Sequence, residues 1–262
     1  MTWRNCRQAC TLIPGFCCFP SIASLNTMSI FAEVVVRLFN LIAPRRCVMC
    51  GCRLAIGENV ICSGCNLDLP RTFFSERPYD NDLTQMFWGR LPIKRAAALF
   101  FYKRRSLTSR IIYSMKYLGH PEAGELMGQV AAKEFAANGF FDGIDIIVPI
   151  PLSRLRQLSR GYNQSMEIAK GISEITKIPI ADKAVKRLWF RSSQTHLNFW
   201  QRMENVEKEF RLKDGSRIKG RHVLIVDDIV TTGATVYSCA KELMKSGDVT
   251  FSILSLGFTQ QD

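Results

Sequence analysis

The sequence predicts an α/β fold, a parallel sheet flanked by helices, preceded by a small N-terminal zinc-ribbon-like module. Three observations predict it. Apolar strand-like runs alternate with amphipathic helical patterns from about residue 96 onward. Two Cys-x-x-Cys pairs precede them. The chain has 262 residues, of which 47% are hydrophobic and 22% charged, which suffices for a buried core and excludes a disordered chain.

We divide the chain into five segments. Residues 1–27 are interpreted as a disordered extension or as the product of a misassigned start, because Pro14 and Pro20 interrupt their apolar stretch and Met28 opens a well-formed amphipathic pattern. The pattern predicts a helix over 28–43, followed by a cysteine module at 44–70, a linker at 71–95 and the α/β domain at 96–262. No apolar run reaches the roughly 18 residues of a transmembrane helix, so no membrane span is expected.

The cysteine module predicts a structural zinc site. Cys47, Cys50, Cys62 and Cys65 form two pairs at zinc-ribbon spacing, and four thiolates leave no open coordination position. Nine of the ten cysteines precede Asn66, and such pairing favours metal binding in a reducing, cytoplasmic compartment over a disulfide framework. The alternative is four free or redox-active thiols. Cys52 is a spare cysteine, either a competing ligand or a passive neighbour.

Each element of the α/β domain has its own signal. An apolar run predicts a strand over 96–102, and a face formed by Ile111, Ile112 and Met115 predicts a helix over 107–118. A second helix over 122–137 ends at an Asn-Gly pair, and the short apolar run 144–147 is typical of a buried parallel strand. The same patterns then predict a helix over 165–175, a strand over 184–190, a strand over 223–226, a helix over 234–245 and a strand over 249–256.

The segment from Val223 to Thr235 carries the strongest chemical signal. Four apolar residues deliver Asp227 and Asp228 to the end of a strand, where ligands bind in parallel sheets. The two carboxylates can accept hydrogen bonds from vicinal ribose hydroxyls. A turn that opens the next helix follows, and its backbone N–H groups can hold a phosphate. This turn consists of Thr231, Thr232, Gly233, Ala234 and Thr235.

This segment resembles the motif with which type I phosphoribosyltransferases bind 5-phosphoribosyl 1-diphosphate (PRPP). Together with the cysteine module, the chain is similar to the ComF family of competence-associated, amidophosphoribosyltransferase-like proteins, over roughly residues 40–258. Further matching pieces are Lys116–Gly119, Val148–Leu152, Arg160–Ser165 and Arg191–Thr195. The resemblance implies a type I phosphoribosyltransferase-like fold, a PRPP or related phosphoribosyl ligand bound with Mg²⁺, and a role in DNA uptake or nucleotide metabolism. It also implies competence helicase-type partners. The first hypothesis is therefore an enzyme that transfers the phosphoribosyl group of PRPP to an unidentified acceptor.

The resemblance assigns two more loops. A basic segment after the strand that ends at Val148 is similar to the family's pyrophosphate loop and contains Pro149, Ile150, Pro151 and Arg154, with Arg160 as the first candidate for an anion contact. A solvated basic turn is the alternative. The polar stretch from Arg191 to Asn205 occupies the position of the mobile hood loop, in which Gln194 and Arg202 are candidates to close over pyrophosphate; a plain surface loop is the alternative.

The distribution of charge indicates a second hypothesis. The net charge is +12, and eight basic residues with no acid lie between Leu83 and Pro121. Such an imbalance is typical of an anionic partner or of a solubilising surface. We therefore consider a non-catalytic, PRPP-fold protein that binds single-stranded DNA, with Lys103, Arg104 and Arg105 as candidate contacts. The interleaved aromatic residues are either stacking groups or core: Phe100, Phe101, Tyr102, Tyr113 and Tyr117.

Overall fold

A computed structural model describes residues 45–188 and 209–260. The extension 1–27, the helix expected over 28–43 and the candidate hood residues Gln194 and Arg202 lie outside these ranges. The helices are α1 (Ser63–Leu67), α2 (Asp82–Gln85), α3 (Leu107–Tyr117), α4 (Pro121–Ala136), α5 (Arg154–Arg160), α6 (Gln164–Thr176) and α7 (Ala234–Leu243). The strands are β1 (Ile93–Phe101), β2 (Ile146–Pro149), β3 (Val185–Arg187), β4 (Phe210–Leu212), β5 (His222–Val230) and β6 (Thr250–Phe258).

Four strands form the parallel sheet that the sequence predicts, in the order β1-β6-β5-β2. All three neighbouring pairs are parallel. The inner strands β5 and β6 are apolar over most of their length, because both faces of a parallel sheet are covered. The expected α/β architecture is therefore confirmed, and all four carboxyl ends lie at one edge of the sheet.

The backbones of helices α4 and α6 pack directly against each other at two glycines. A Cβ added to Gly128 would lie 2.3 Å from the carbonyl oxygen of Ile168, and one added to Gly171 would lie 1.9 Å from that of Glu125. Only a residue without a side chain permits such an approach. This close contact fixes α6, which begins at the edge of the sheet where the acidic pair lies.

The strand with the acidic pair is longer than expected. We predicted that it ends at Val226, with the two aspartates in a loop, but β5 continues to Val230. The reason is its neighbours: β6 pairs with β5 as far as Val230, whereas β2 ends at Pro149 beside Val226. Asp227 and Asp228 therefore lie within β5, in the part of the strand that pairs with β6 on one side and extends beyond the end of β2 on the other.

Two further predictions need correction. The strand expected over 184–190 forms β3, which pairs antiparallel with β4 in a separate two-stranded sheet rather than joining the parallel one. The segment expected to form a basic loop after β2 contains the seven-residue helix α5, whose two apolar residues, Leu155 and Leu158, are exposed and form too short a pattern to predict a helix.

The segment 71–95, which we interpreted as a linker, contributes side chains to the core. Leu83 and Phe87 are fully buried there, and Asn81 caps α2 by accepting a hydrogen bond from the backbone of Thr84. Among the helices described, none has both the length and the apolar composition that crossing a membrane requires.

Candidate functional site

The acidic pair at the open flank of β5 is tied to two other elements. Asp227 Oδ1 accepts a hydrogen bond of 3.1 Å from Ser165 Oγ at the start of α6 and one of 2.9 Å from the backbone N–H of Asp228. Asp228 Oδ2 lies 2.6 Å from Lys116 Nζ, which comes from the last turn of α3. Three elements far apart in the sequence therefore meet at these two carboxylates.

The two carboxyl groups have different electrostatic environments. Burial, and then the charge of Asp228, raises the pKa of Asp227 to about 7. The hydrogen bond from Asp228 N–H and the charge of Lys116 oppose this shift without cancelling it. Near neutral pH Asp227 is therefore partly protonated, and its ability to accept hydrogen bonds from a ligand depends on pH.

Basic side chains surround the acidic pair. Lys116, Arg156, Arg160 and Arg187 line the same cavity of about 140 Å³ as Asp227 and Asp228, together with Ile150, Leu152, Gln164, Ser165, Ile229 and Thr235. Arg160 donates a 3.0 Å hydrogen bond to Gln164 Oε1, and its guanidinium lies 5.5 Å from the ring centre of Tyr117. The cavity thus places two carboxylates opposite four cations, an arrangement that suits a ligand with both hydroxyl and anionic groups.

The predicted pyrophosphate residues divide between two cavities. Arg160 lines the acidic cavity, whereas Arg154 lines a neighbouring cavity of about 400 Å³ with Leu155, Lys186 and Leu188. Arg187 lines both. The backbone N–H of Ile150 donates to Val226 O at 3.0 Å, and Asn163 Nδ2 donates to Ile150 O at 3.0 Å, which fixes the Pro149–Pro151 segment beside β5.

The predicted phosphate turn, Thr231–Thr235, connects β5 to α7 at the same edge of the sheet. Gly233 has φ +71°, and an added Cβ would lie 2.5 Å from Met86 Sδ and 2.7 Å from a Phe87 ring carbon. Thr231 and Thr232 are exposed, and Thr235 reaches the acidic cavity. Because the first N–H groups of a helix have no partner within that helix, this turn presents donors beside the acidic pair.

Several residues of the cavity were not among the predicted site residues. Arg156 lies in the basic segment, but nothing in its local sequence distinguishes it from Arg154. Arg187 belongs to β3, and its Nε donates a 2.8 Å hydrogen bond to Glu209 Oε1. Gln164 and Ser165 belong to the piece Arg160–Ser165 that resembles the family, but that resemblance gave them no role in the site. Only the Lys116–Gly119 piece, through its resemblance to the family, directed attention to Lys116.

The candidate DNA contacts lie apart from this cavity. Lys103, Arg104 and Arg105 form an exposed turn between β1 and α3. Two of the five interleaved aromatic residues, Tyr113 and Tyr117, are 55% and 62% exposed, with ring centres 4.9 Å apart. Of the other three, Phe100 is fully buried, whereas Phe101 and Tyr102 are half-buried. The aromatic residues therefore divide between core and surface.

The cysteine module clusters its thiols as a metal site requires. The Sγ atoms of Cys47, Cys50, Cys52 and Cys62 all lie within 4.8 Å of one another. This group contains Cys52, the spare cysteine of the sequence prediction, whereas the expected ligand Cys65 lies outside it and interacts with Cys47, Cys50 and Cys62. The Cys62 backbone N–H donates to Cys47 Sγ at 3.3 Å, which supports a negatively charged sulfur. The donor set fits zinc, which prefers thiolates.

Comparison with known proteins finds relatives named for competence and DNA utilization, although no family model matches the chain. The DNA utilization protein YhgH of Shigella flexneri is 27% identical over 226 residues, covering 82% of this chain and 98% of that protein. Competence protein F of Haemophilus influenzae is 28% identical over 222 residues (77% and 92%), and competence protein ComFC of Bacillus subtilis is 29% identical over 104 residues (39% of each).

Two solved structures are similar to about half of the chain. The match to an allosteric regulatory enzyme of purine biosynthesis spans 51% of this chain and 25% of that enzyme's chain, with a TM-score of 0.36 and 20% identity. The match to a purine phosphoribosyltransferase from Pyrococcus horikoshii Ot3 spans 50% of this chain and 84% of that protein's chain, with a TM-score of 0.32 and 17% identity. The curated relatives agree with the resemblance predicted from the motifs: this chain is similar to competence proteins F and ComFC and to the DNA utilization protein YhgH.

Proposed function

We propose that this protein binds PRPP with Mg²⁺ at the carboxyl edge of its parallel sheet and is a phosphoribosyltransferase-like competence protein. The observation that carries the proposal is the convergence of three groups in one place. The acidic pair on β5, the Thr231–Thr235 turn and the cations Lys116, Arg156 and Arg160 all border a single cavity or its rim. PRPP offers a partner to each group: ribose hydroxyls, a 5-phosphate and a pyrophosphate.

Different residues bind different parts of PRPP. Asp227 and Asp228 accept hydrogen bonds from the two ribose hydroxyls, and the N–H groups of the turn hold the 5-phosphate against the N-terminus of α7. Arg160 and Arg156 are the candidates for the pyrophosphate. When bound with the ligand, Mg²⁺ neutralises pyrophosphate charge, and few protein ligands are needed for it.

Transfer of the phosphoribosyl group would require the same residues to stabilise a separating charge. As the bond from C1 to pyrophosphate breaks, positive charge develops on the ribose and negative charge on the leaving group. The carboxylates stabilise the ring, and the arginines stabilise the pyrophosphate. Arg154 lines a separate cavity, so we assign this role to Arg160 and Arg156 before Arg154.

Titration calorimetry with Mg²⁺ and PRPP tests the proposal. The wild-type chain should bind, and the double variant Asp227→Asn, Asp228→Asn should not. Asp182→Asn with Asp248→Asn is the matched control, because it removes the same charge from two exposed positions, with Asp248 preceding β6 at the opposite edge of the sheet. Equal binding by all three chains would refute the proposal. A pyrophosphate-release assay with a panel of nucleobases then separates an enzyme from a binding protein.

A second function, binding of single-stranded DNA, is favoured by the exposed Tyr113–Tyr117 pair. Stacking on aromatic rings beside a basic surface is how many proteins hold single strands. Arg110 is also exposed on α3, and the basic turn 103–105 precedes the same helix. The relatives named for competence and DNA utilization support this candidate. The basic turn would then hold the backbone while the tyrosines stack on bases.

Fluorescence anisotropy with a labelled single-stranded oligonucleotide tests this second function. Replacing Lys103, Arg104 and Arg105 by glutamine should weaken binding and reduce the slope of log affinity against log salt by about 2, at roughly 0.7 per lost phosphate contact. The control replaces three exposed cations elsewhere, namely Lys183, Lys213 and Arg217. If both triple variants lose affinity equally, or neither does, the basic turn is only a solubilising surface. The Asp227→Asn, Asp228→Asn variant should bind DNA normally.

A further inference from the structure

The cysteine module contains one more thiol than a tetrahedral zinc site needs. The sequence spacing assigns the ligands to Cys47, Cys50, Cys62 and Cys65, but the thiols within 4.8 Å of one another are those of Cys47, Cys50, Cys52 and Cys62. The Cys52 Sγ lies 3.1 Å from Cys50 Sγ, closer than the 3.7 Å between Cys50 and Cys62. Cys52 is therefore a member of the cluster by position.

The backbone explains why Cys52 faces the cluster. Residues Arg46 and Arg53 form an antiparallel bridge, and the Cys47 N–H donates a 2.8 Å hydrogen bond to the carbonyl of Cys52. Gly51, with φ +78°, allows the chain to reverse directly before Cys52. The hairpin thus places Cys52 opposite Cys47, so that both thiols approach the same centre from neighbouring arms.

Cys65 approaches from the other side. Cys62 is the N-cap of α1, and its Sγ accepts a hydrogen bond from the Cys65 backbone N–H at 3.5 Å. The Cys65 side chain is buried, whereas Cys50 and Cys52 are exposed. The centre is therefore bounded by a buried thiol on the helix side and an exposed thiol on the hairpin side.

We propose that Cys52 is a metal-binding thiolate and shares the fourth coordination position with Cys65. Zinc takes four ligands in structural sites, so five thiolates around one ion leave one in excess. Cys47, Cys50 and Cys62 hold the ion constantly, and the fourth bond alternates between the hairpin and the helix. The site can lose one of the two exchanging thiols and still keep a complete set of four. This proposal is independent of PRPP binding.

Differential alkylation of the full wild-type chain tests the proposal without any variant. The zinc-loaded protein and a chelator-treated sample are exposed to iodoacetamide, and the modified peptides are quantified by mass spectrometry. Zinc should slow alkylation of Cys52, because a coordinated sulfur is a poor nucleophile. Since Cys52 is already exposed, burial does not explain such protection. Cys239, fully buried in the core, serves as the internal control. Equal alkylation of Cys52 in both samples overturns the proposal.

Zinc competition with a metallochromic chelator provides the second measurement. Cys52→Ser and Cys65→Ser should each retain one zinc ion with an affinity lower by about tenfold, as expected for a changed metal environment. The double variant should lose zinc, as should Cys47→Ser. If Cys65→Ser holds as little zinc as the double variant while Cys52→Ser matches the wild type, Cys65 alone is the fourth ligand and the proposal is wrong.

Discussion

The raised pKa of Asp227 makes a quantitative prediction about stability. Its carboxyl has an ordinary pKa of 3.8 and one of about 7 in the folded chain. Between these values the folded state binds more protons than the unfolded state, so stability is lost as the pH rises through about 7. From about pH 5 to about pH 8 this one group should lower the free energy of unfolding by about 2.5 kcal/mol.

Asp227→Asn removes that contribution because an amide does not ionise. Urea unfolding of wild type and variant at the two pH values should show that the wild type loses about 2.5 kcal/mol more than the variant on going to the higher pH. Groups that do not interact with Asp227, including the cysteine module, titrate in both chains and cancel in the difference. Asp248→Asn, at an exposed position, should follow the wild type. If wild type and Asp227→Asn lose stability in parallel, the Asp227 carboxyl is not held in a buried, charge-repelling environment.

Three further outcomes are expected. Gly233→Ala should cost several kcal/mol in urea unfolding, because its Cβ would clash with the rigid, buried ring of Phe87, in addition to the cost of about 1 kcal/mol for a left-handed alanine. Gly119→Ala, with φ +68° and open space around it, should show only the smaller loss. Gly171→Ala should also cost several kcal/mol by forcing α6 away from α4, seen as a lower urea midpoint. Removing zinc with a chelator should make residues 45–70 sensitive to limited proteolysis while the sheet persists, because this small module buries few apolar side chains of its own.

The sequence predicted the parallel sheet well because its strands are short apolar runs bounded by polar turns. The predicted end of β5 was wrong, because that strand contains two charged residues. Asp227 and Asp228 interrupt the apolar pattern of β5, so hydrophobicity alone predicts a loop, whereas pairing with β6 continues the strand to Val230. That pairing is a property of two distant segments, and no local pattern contains it. The short helix α5 was missed for a different reason, because its two apolar residues form too short a pattern to predict a helix.

The candidate site was predicted in its parts but not in its assembly. The acidic pair and the threonine turn are adjacent in sequence and could be recognised together. The cations come from α3, α5 and β3, and only folding brings Lys116, Arg156 and Arg187 to the same cavity. Sequence reasoning placed Arg160 first, but it did not predict that Arg160 and Arg154 line different cavities, because the helix that carries both was not predicted.

The basic excess in the middle of the chain can now be divided by position. Part of it faces the acidic pair: Lys116 forms an ion pair with Asp228, and Arg160 borders the same cavity. Because Lys116 is already paired with Asp228, an incoming polyanion must exchange this ion pair for another, whereas Arg160 donates its hydrogen bond to the neutral side chain of Gln164. We expect Lys116 to leave Asp228 when such a ligand binds, because the carboxylate is then needed for the hydroxyls. Other cations of the same stretch bond to backbone carbonyls, Arg95 to those of Gly139 and Phe140 and Arg110 to that of Met49. The turn 103–105 is exposed, and we propose that a separate anionic partner binds there.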